Sequence, residues 1–221
     1  MHHRSWLARL VAGALCAAAV AACGDARSNV ARPADSTREA SPDGPLAAAP
    51  FTFRDDFGDT LTLRTLPRRI VSLNPATTEL FFALGAGNRL VGRTHFDLYP
   101  TAAQAVRDLG DALPPNVEAV LGVQPDLVTL YASNSNRDAA ARFRAAGVPT
   151  LTLRIDHIAD FRRAVGILGR VVGDTARAAI VVDTVSRTLA RVRAAMQGAP
   201  RLSAFWKAWD SPVIAIGGGS F

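Results

Sequence analysis

Apolar residues first settle into a rhythm at Phe51. Phe51-Thr52-Phe53-Arg54 and Thr60-Leu61-Thr62-Leu63 alternate apolar and polar positions around Asp55-Asp56-Phe57-Gly58-Asp59, the pattern of two strands joined by a glycine-containing turn. Arg69-Ile70-Val71-Ser72-Leu73 follows as a short strand closed by Asn74-Pro75. From about Thr77 to Leu84 the spacing predicts a short helix, opened by threonine, with Glu79 in its first turn and Gly85 and Gly87 as stops. The pattern then recurs: Leu90-Val91-Gly92 as strand, a helix near Ala102–Arg107, another at Val117–Leu121, and a buried-type strand at Pro125–Leu130. Asn136–Ala146 reads as helix ended by Gly147, and Pro149–Leu153 as strand. Strands alternating with helices imply an α/β fold with a mostly parallel sheet covered on both faces.

Beyond Leu153 the period changes. Ile158, Phe161, Val165, Leu168 and Val172 recur at helical spacing, and after Gly173-Asp174 a second helix aligns Val181, Val185, Leu189, Val192 and Met196. From about Thr175 to Gln197 that helix extends about 34 Å at 1.5 Å per residue, more than a small crossover needs. New strands are expected only afterwards, at Leu202–Trp206 and Pro212–Ile216. A long helix between two groups of strands fits two lobes joined by a rigid rod; a covering helix on one continuous sheet is the alternative. Two strands and the glycine run 217–219 do not make a lobe, so a truncated second lobe is expected. The expected organisation is an N-terminal α/β lobe over 51–172, a backbone helix over 173–198, and the start of an incomplete C-terminal lobe over 199–221.

The first fifty residues follow neither rhythm. Arg4 and Arg9 precede an uncharged apolar run, Leu10–Ala22, short of the roughly 20 residues a membrane span requires but suited to an export signal over 1–22. It ends Val20-Ala21-Ala22-Cys23-Gly24, which resembles the bacterial lipobox, where the cysteine receives diacylglycerol; an ordinary cut at Ala-x-Ala is the alternative. Lipidation at Cys23 would place the protein in the periplasm or at the cell surface, tied to the membrane. Residues 23–50 are rich in Ala, Pro, Ser and Asp and lack aromatics, the composition of a flexible tether. Cys16 would leave with the signal, so the mature chain would hold no disulfide, which an adequate core does not require.

Composition works mainly by exclusion. Apolar residues make up 49% and charged ones 20%, enough for a buried core and against wholesale disorder. The net charge of +6 includes Arg4 and Arg9, and the remaining arginines, with Lys207 the single lysine, are scattered along the chain. Nucleic-acid binding would cluster them, so no nucleic-acid partner is expected. Gly-x-Ser-x-Gly, Gly-x-x-x-x-Gly-Lys-Ser and His-Glu-x-x-His are all absent, and the glycines at 217–219 have neither the lysine nor the following helix of a phosphate loop. No enzyme and no cofactor is expected. His95 has no cluster of further ligands in sequence, so no metal site is assigned to it.

From Phe51 to the end, the chain resembles the periplasmic-binding family for iron-siderophore complexes, haem and cobalamin. The resemblance is carried by Pro67-Arg68-Arg69-Ile70-Val71-Ser72-Leu73-Asn74-Pro75-Ala76-Thr77-Thr78-Glu79 with Leu84-Gly85-Ala86-Gly87, by Leu90-Val91-Gly92 and Tyr99-Pro100, and by Asn116-Val117-Glu118 and Pro125-Asp126-Leu127-Val128. Leu168-Gly169, Gly173, Ala176, Trp209-x-x-Pro212 and Gly217-x-x-Ser220-Phe221 continue it. It implies two α/β lobes bridged by one long helix, with a corrinoid or ferric siderophore held between them and delivered to the permease subunits of an ABC importer. A haem or metal-ion receptor of the same fold, or a non-transport surface sensor or scavenger, is the alternative.

The resemblance also implies roles. Glu118 matches a carboxylate that pairs with permease arginines, a role suited to steering and register. Phe96 matches an aromatic that packs on the corrin ring, and Ala112 stands where relatives carry a cleft tryptophan. Loops after parallel strands line ligand crevices, which points to 74–77, 93–99, 111–114 and 131–136. There Arg93 is a candidate partner for a ligand carboxylate or phosphate. Trp206 and Trp209 are candidates for an apolar wall from the second lobe, and Glu79 is read as a helix residue without a ligand role.

Overall fold

A computed structural model describes residues 47–200, 203, 205, 207–210 and 213–215. Strands β1 (Ala47–Arg54) and β2 (Thr60–Thr65) form an antiparallel hairpin, with β1 starting four residues before the expected Phe51. The hairpin's turn is pinned to the main sheet by Asp55. Its Oδ1 accepts the N–H groups of Phe57 and Asp59, while Oδ2 accepts the Thr152 hydroxyl at 2.6 Å and Arg144 at 2.8 Å.

The main sheet is parallel, in the order β4-β3-β5-β6, built from β3 (Ile70–Leu73), β4 (Leu90–Gly92), β5 (Leu127–Tyr131) and β6 (Thr150–Leu153). Every residue of β3 and β6 is buried, as expected for strands covered on both faces. Alternation divides the core into two clusters. Ile70, Leu127, Leu151 and Leu153 join Phe81, Val165 and Leu168, whereas Val71, Leu73, Val128 and Leu130 join Val120 and Phe143. Helices α1 (Pro75–Ala83) and α4 (Ile158–Val172) supply the first set, and α2 (Val117–Gly122) and α3 (Arg137–Ala145) the second.

Helix α1 opens two residues earlier than the Thr77 start read from the sequence. Asn74 caps it by accepting the Ala76 N–H at 3.0 Å, and Pro75 fits the first helical position, where its fixed φ is helical already. Glu79 therefore falls beyond the first turn. Thr77 instead points inward, where its hydroxyl bonds the Asn74 carbonyl and meets Ser72 and Thr129, stitching α1 to β3 and β5. The helix expected near Ala102–Arg107 is a single 3-10 turn, Thr101–Ala105.

Helix α5 runs Thr175–Ala195, about 32 Å at 1.5 Å per residue. Its first part packs on α4, where Gly169 allows a close approach to Ala178. Farther along, Val192 and Met196 of the expected stripe are exposed. Strands β7 (Lys207–Asp210) and β8 (Val213–Ala215) form an antiparallel pair. Of the expected strand Leu202–Trp206, residues 202, 204 and 206 lie outside the described residues, and β7 begins directly after it. Among the described residues no helix is long and apolar enough to cross a membrane.

Candidate functional site

Strand β3 lies between β4 and β5, so the chain progresses outward on one side of β3 and then resumes on the other. Such a switch point opens a crevice at the carboxyl ends of the strands. Here it is a cleft of about 470 Å³ lined by Leu73, Asn74, Pro75, Phe96, Asp111, Ala112, Leu113 and Tyr131. Leu73-Asn74-Pro75 come from the β3–α1 junction, Phe96 from the loop after β4, and Tyr131 from the end of β5. A larger hollow of about 550 Å³ runs between α4 and α5, but it lies on a helix face away from the strand ends.

Phe96 is 52% exposed and its ring centroid lies 3.9 Å from that of His95. Leu98, Tyr99 and Leu113 are also exposed on the same loops, and Leu113 lines the cleft with Phe96. The loop carrying Phe96 is fixed from below by Asp97, which is buried and accepts the hydroxyls of Thr78 and Thr94, each at 2.6 Å. Burial, and then the charge of Asp97, raise the pKa of nearby Glu79. Tyr131 donates its hydroxyl to Asp156 at 2.8 Å, and burial together with that bond raises its pKa.

Arg93 is corrected by its surroundings. It is only 7% exposed and does not line the cleft. Its guanidinium donates to the carbonyls of Thr94, Ala103 and Gln104 and lies 3.6 Å from Asp108. A buried cation needs such partners, and having them it holds the loop rather than a ligand. His95 Nε2 lies 3.5 Å from Asp111, and among the described residues no three His, Cys, Asp or Glu are grouped to hold a metal. Glu118, in the first turn of α2, projects into solvent with Arg142 3.5 Å away. Trp209 sits in β7, its backbone opposite Ile214; Trp206 and Cys23 lie outside the described residues, as do the expected signal and most of the tether. Asn74, Asp111, Leu113 and Tyr131 were not singled out from sequence, although they fall in the loops that the strand-end rule indicates.

The pattern of the periplasmic binding protein family matches residues 70–221. The chain belongs to this family. Within it, an ABC transporter substrate-binding lipoprotein of Bacillus subtilis is 32% identical over 143 residues, covering 63% of this chain and 45% of that one. A cobalamin-binding protein of Halobacterium salinarum is 35% identical over 185 residues, covering 80% and 47%. Among solved structures, the periplasmic vitamin B12 binding protein of Vibrio cholerae shares the fold with a TM-score of 0.60 at 20% identity, over 68% of this chain and 59% of that one. The chain spans about half the length of the curated relatives it matches.

Proposed function

We propose that this protein is the solute-binding subunit of an ABC importer, working outside the cytoplasm. It binds rather than transforms its ligand, a corrinoid or a complex of the iron-siderophore type, and hands it to a membrane permease. The observation that carries this reading is the cleft at the switch point of a periplasmic-binding sheet, walled by Phe96, Leu113 and Tyr131, with Phe96 and Leu113 exposed. Large planar or alkyl-rich ligands gain affinity from such a surface by hydrophobic burial, with a few polar groups fixing orientation.

On this reading Cys23 carries the lipid that holds the protein at the membrane, Glu118 meets the permease, Phe96 packs against the ligand, and Trp206 and Trp209 belong to the facing wall. Tryptophan fluorescence of the full-length mature protein, titrated with cyanocobalamin, haemin and ferric siderophores and checked by calorimetry, tests the reading. Saturable one-to-one binding of a corrinoid or siderophore complex supports it. Binding of haemin alone would make it a haem receptor of the same fold, and silence from a folded protein would sink capture of all three classes.

A further inference from the structure

Two arginines beside the cleft loops each have a carboxylate, Arg93 with Asp108 at 3.6 Å and Arg154 with Asp156 at 3.8 Å, and the His95 ring has Asp111 at 3.5 Å. None of the lining side chains is lysine or arginine, and one of them, Asp111, is acidic. At the adjoining end of α1, Pro75 has no N–H, that of Ala76 is taken by Asn74 Oδ1 and that of Thr78 by the Asn74 carbonyl, so only the Thr77 N–H is left for a ligand.

Asn74 supplies the positive indication. It is 8% exposed and lines the cleft, and its Oδ1 is committed to capping α1, which fixes the orientation of the amide. Its Nδ2 is buried and has no hydrogen-bond partner, the one such side-chain donor among the described residues. A buried donor without an acceptor is unfavourable, and a ligand oxygen that satisfied it would gain accordingly.

We infer that this wall selects an uncharged ligand face: apolar where it meets Phe96, Leu113 and Tyr131, and bearing a neutral carbonyl oxygen, such as a carboxamide, that accepts from Asn74 Nδ2. The inference rests on the capture reading above and narrows it. Ligands presenting carboxylates or catecholates to this wall meet Asp111, with no lysine or arginine among its described lining residues, so neutral corrinoids and neutral ferric complexes are the class it takes.

Calorimetry on the full-length protein with two matched pairs tests this. One pair is cyanocobalamin and the same corrinoid with side-chain amides hydrolysed to carboxylates; the other is a neutral ferric trihydroxamate and a trianionic ferric tricatecholate. The neutral member of whichever pair binds should be at least about tenfold tighter. Asn74→Asp keeps a capping oxygen over α1 but removes the donor, and should weaken the neutral ligand about tenfold with little change in melting temperature. Asn74→Ser repeats the comparison without an added charge. Equal or tighter binding of the anionic members, or undiminished binding by both variants, overturns the selection and leaves capture standing. Failure of both pairs to bind a folded protein overturns the capture reading and this inference with it.

Discussion

The buried carboxylate of Asp97 accepts the hydroxyl of Thr78 at 2.6 Å, and so ties the loop that carries Phe96 to helix α1. Its other oxygen accepts the Thr94 hydroxyl, also at 2.6 Å. Asp97→Ala leaves two buried hydroxyls without their acceptor, and is expected to cost roughly 2–4 kcal/mol. Ligand affinity should fall as well, because the Phe96 loop is no longer held. Urea unfolding of the variant, with a binding titration beside it, measures both effects. An unfolding midpoint equal to that of the wild type would show that this bond does not fasten the wall.

A second expectation concerns acid. Burial opposes ionisation of Asp160, but the N–H groups of His157 and Asp156 donate to its carboxylate and Arg163 lies 3.6 Å away, so its pKa sits below the ordinary aspartate value. A carboxylate depressed in this way stabilises the folded state above its unfolded-state pKa, and the contribution disappears as pH falls through the folded value. Asp160→Asn should therefore be less stable than wild type at neutral pH. Urea midpoints of the two proteins should converge as pH falls through the lowered folded-state pKa of Asp160, below which both carry an uncharged group. Curves that stay parallel through that fall would place the acid response elsewhere.

Much of this architecture was legible in the sequence because its signals are local. The runs Ile70–Leu73 and Leu127–Leu130 are apolar on both faces only because helices cover both faces, and the 21 residues of α5 declare a helix by spacing alone. The start of α1 was misplaced because Thr77 is a good cap by residue type, and only its burial against Ser72 and Thr129 shows that Asn74 takes the role. Arg93 was misread for a related reason. A loop arginine beside a crevice suggests a ligand contact, and nothing local shows that the carbonyls of Ala103 and Gln104, ten and eleven residues away, fold back to receive it. Tyr131 and Asp111 face the cleft through strand order, which no short window of sequence contains.

The joint between α4 and α5 offers a test of how the long helix is seated. A Cβ at Gly169 would lie 2.5 Å from the Cβ of Ala178, so Gly169→Ala must push the two helices apart. Overpacking of this kind costs typically about 1–3 kcal/mol. Ala178→Gly alone should also destabilise, by about 1 kcal/mol, since it places glycine inside a helix. Combined, the two changes remove the clash, so the double variant should be more stable than the single costs predict, with a coupling of about 1 kcal/mol or more. Additive costs would mean that the helices yield without contact between these residues.

Capture and delivery should be separable at Phe96 and Glu118. Phe96 is half-exposed, so Phe96→Ala removes contact area for a ligand while taking little from the core, and should weaken binding about tenfold or more with a nearly unchanged melting temperature. Glu118 is exposed on α2, outside the cleft, and Glu118→Arg reverses a charge without touching the ligand wall. If this carboxylate docks on permease arginines, the reversal leaves ligand affinity intact and abolishes ligand-dependent stimulation of the transporter's ATPase in vesicles, because like charges then face each other. Arg142, 3.5 Å away, supplies the control. Arg142→Ala also breaks the local pair but keeps the carboxylate, so it should transport normally. Loss of transport in both variants would point to damage at α2 rather than to docking, and normal transport by Glu118→Arg would remove the docking role altogether.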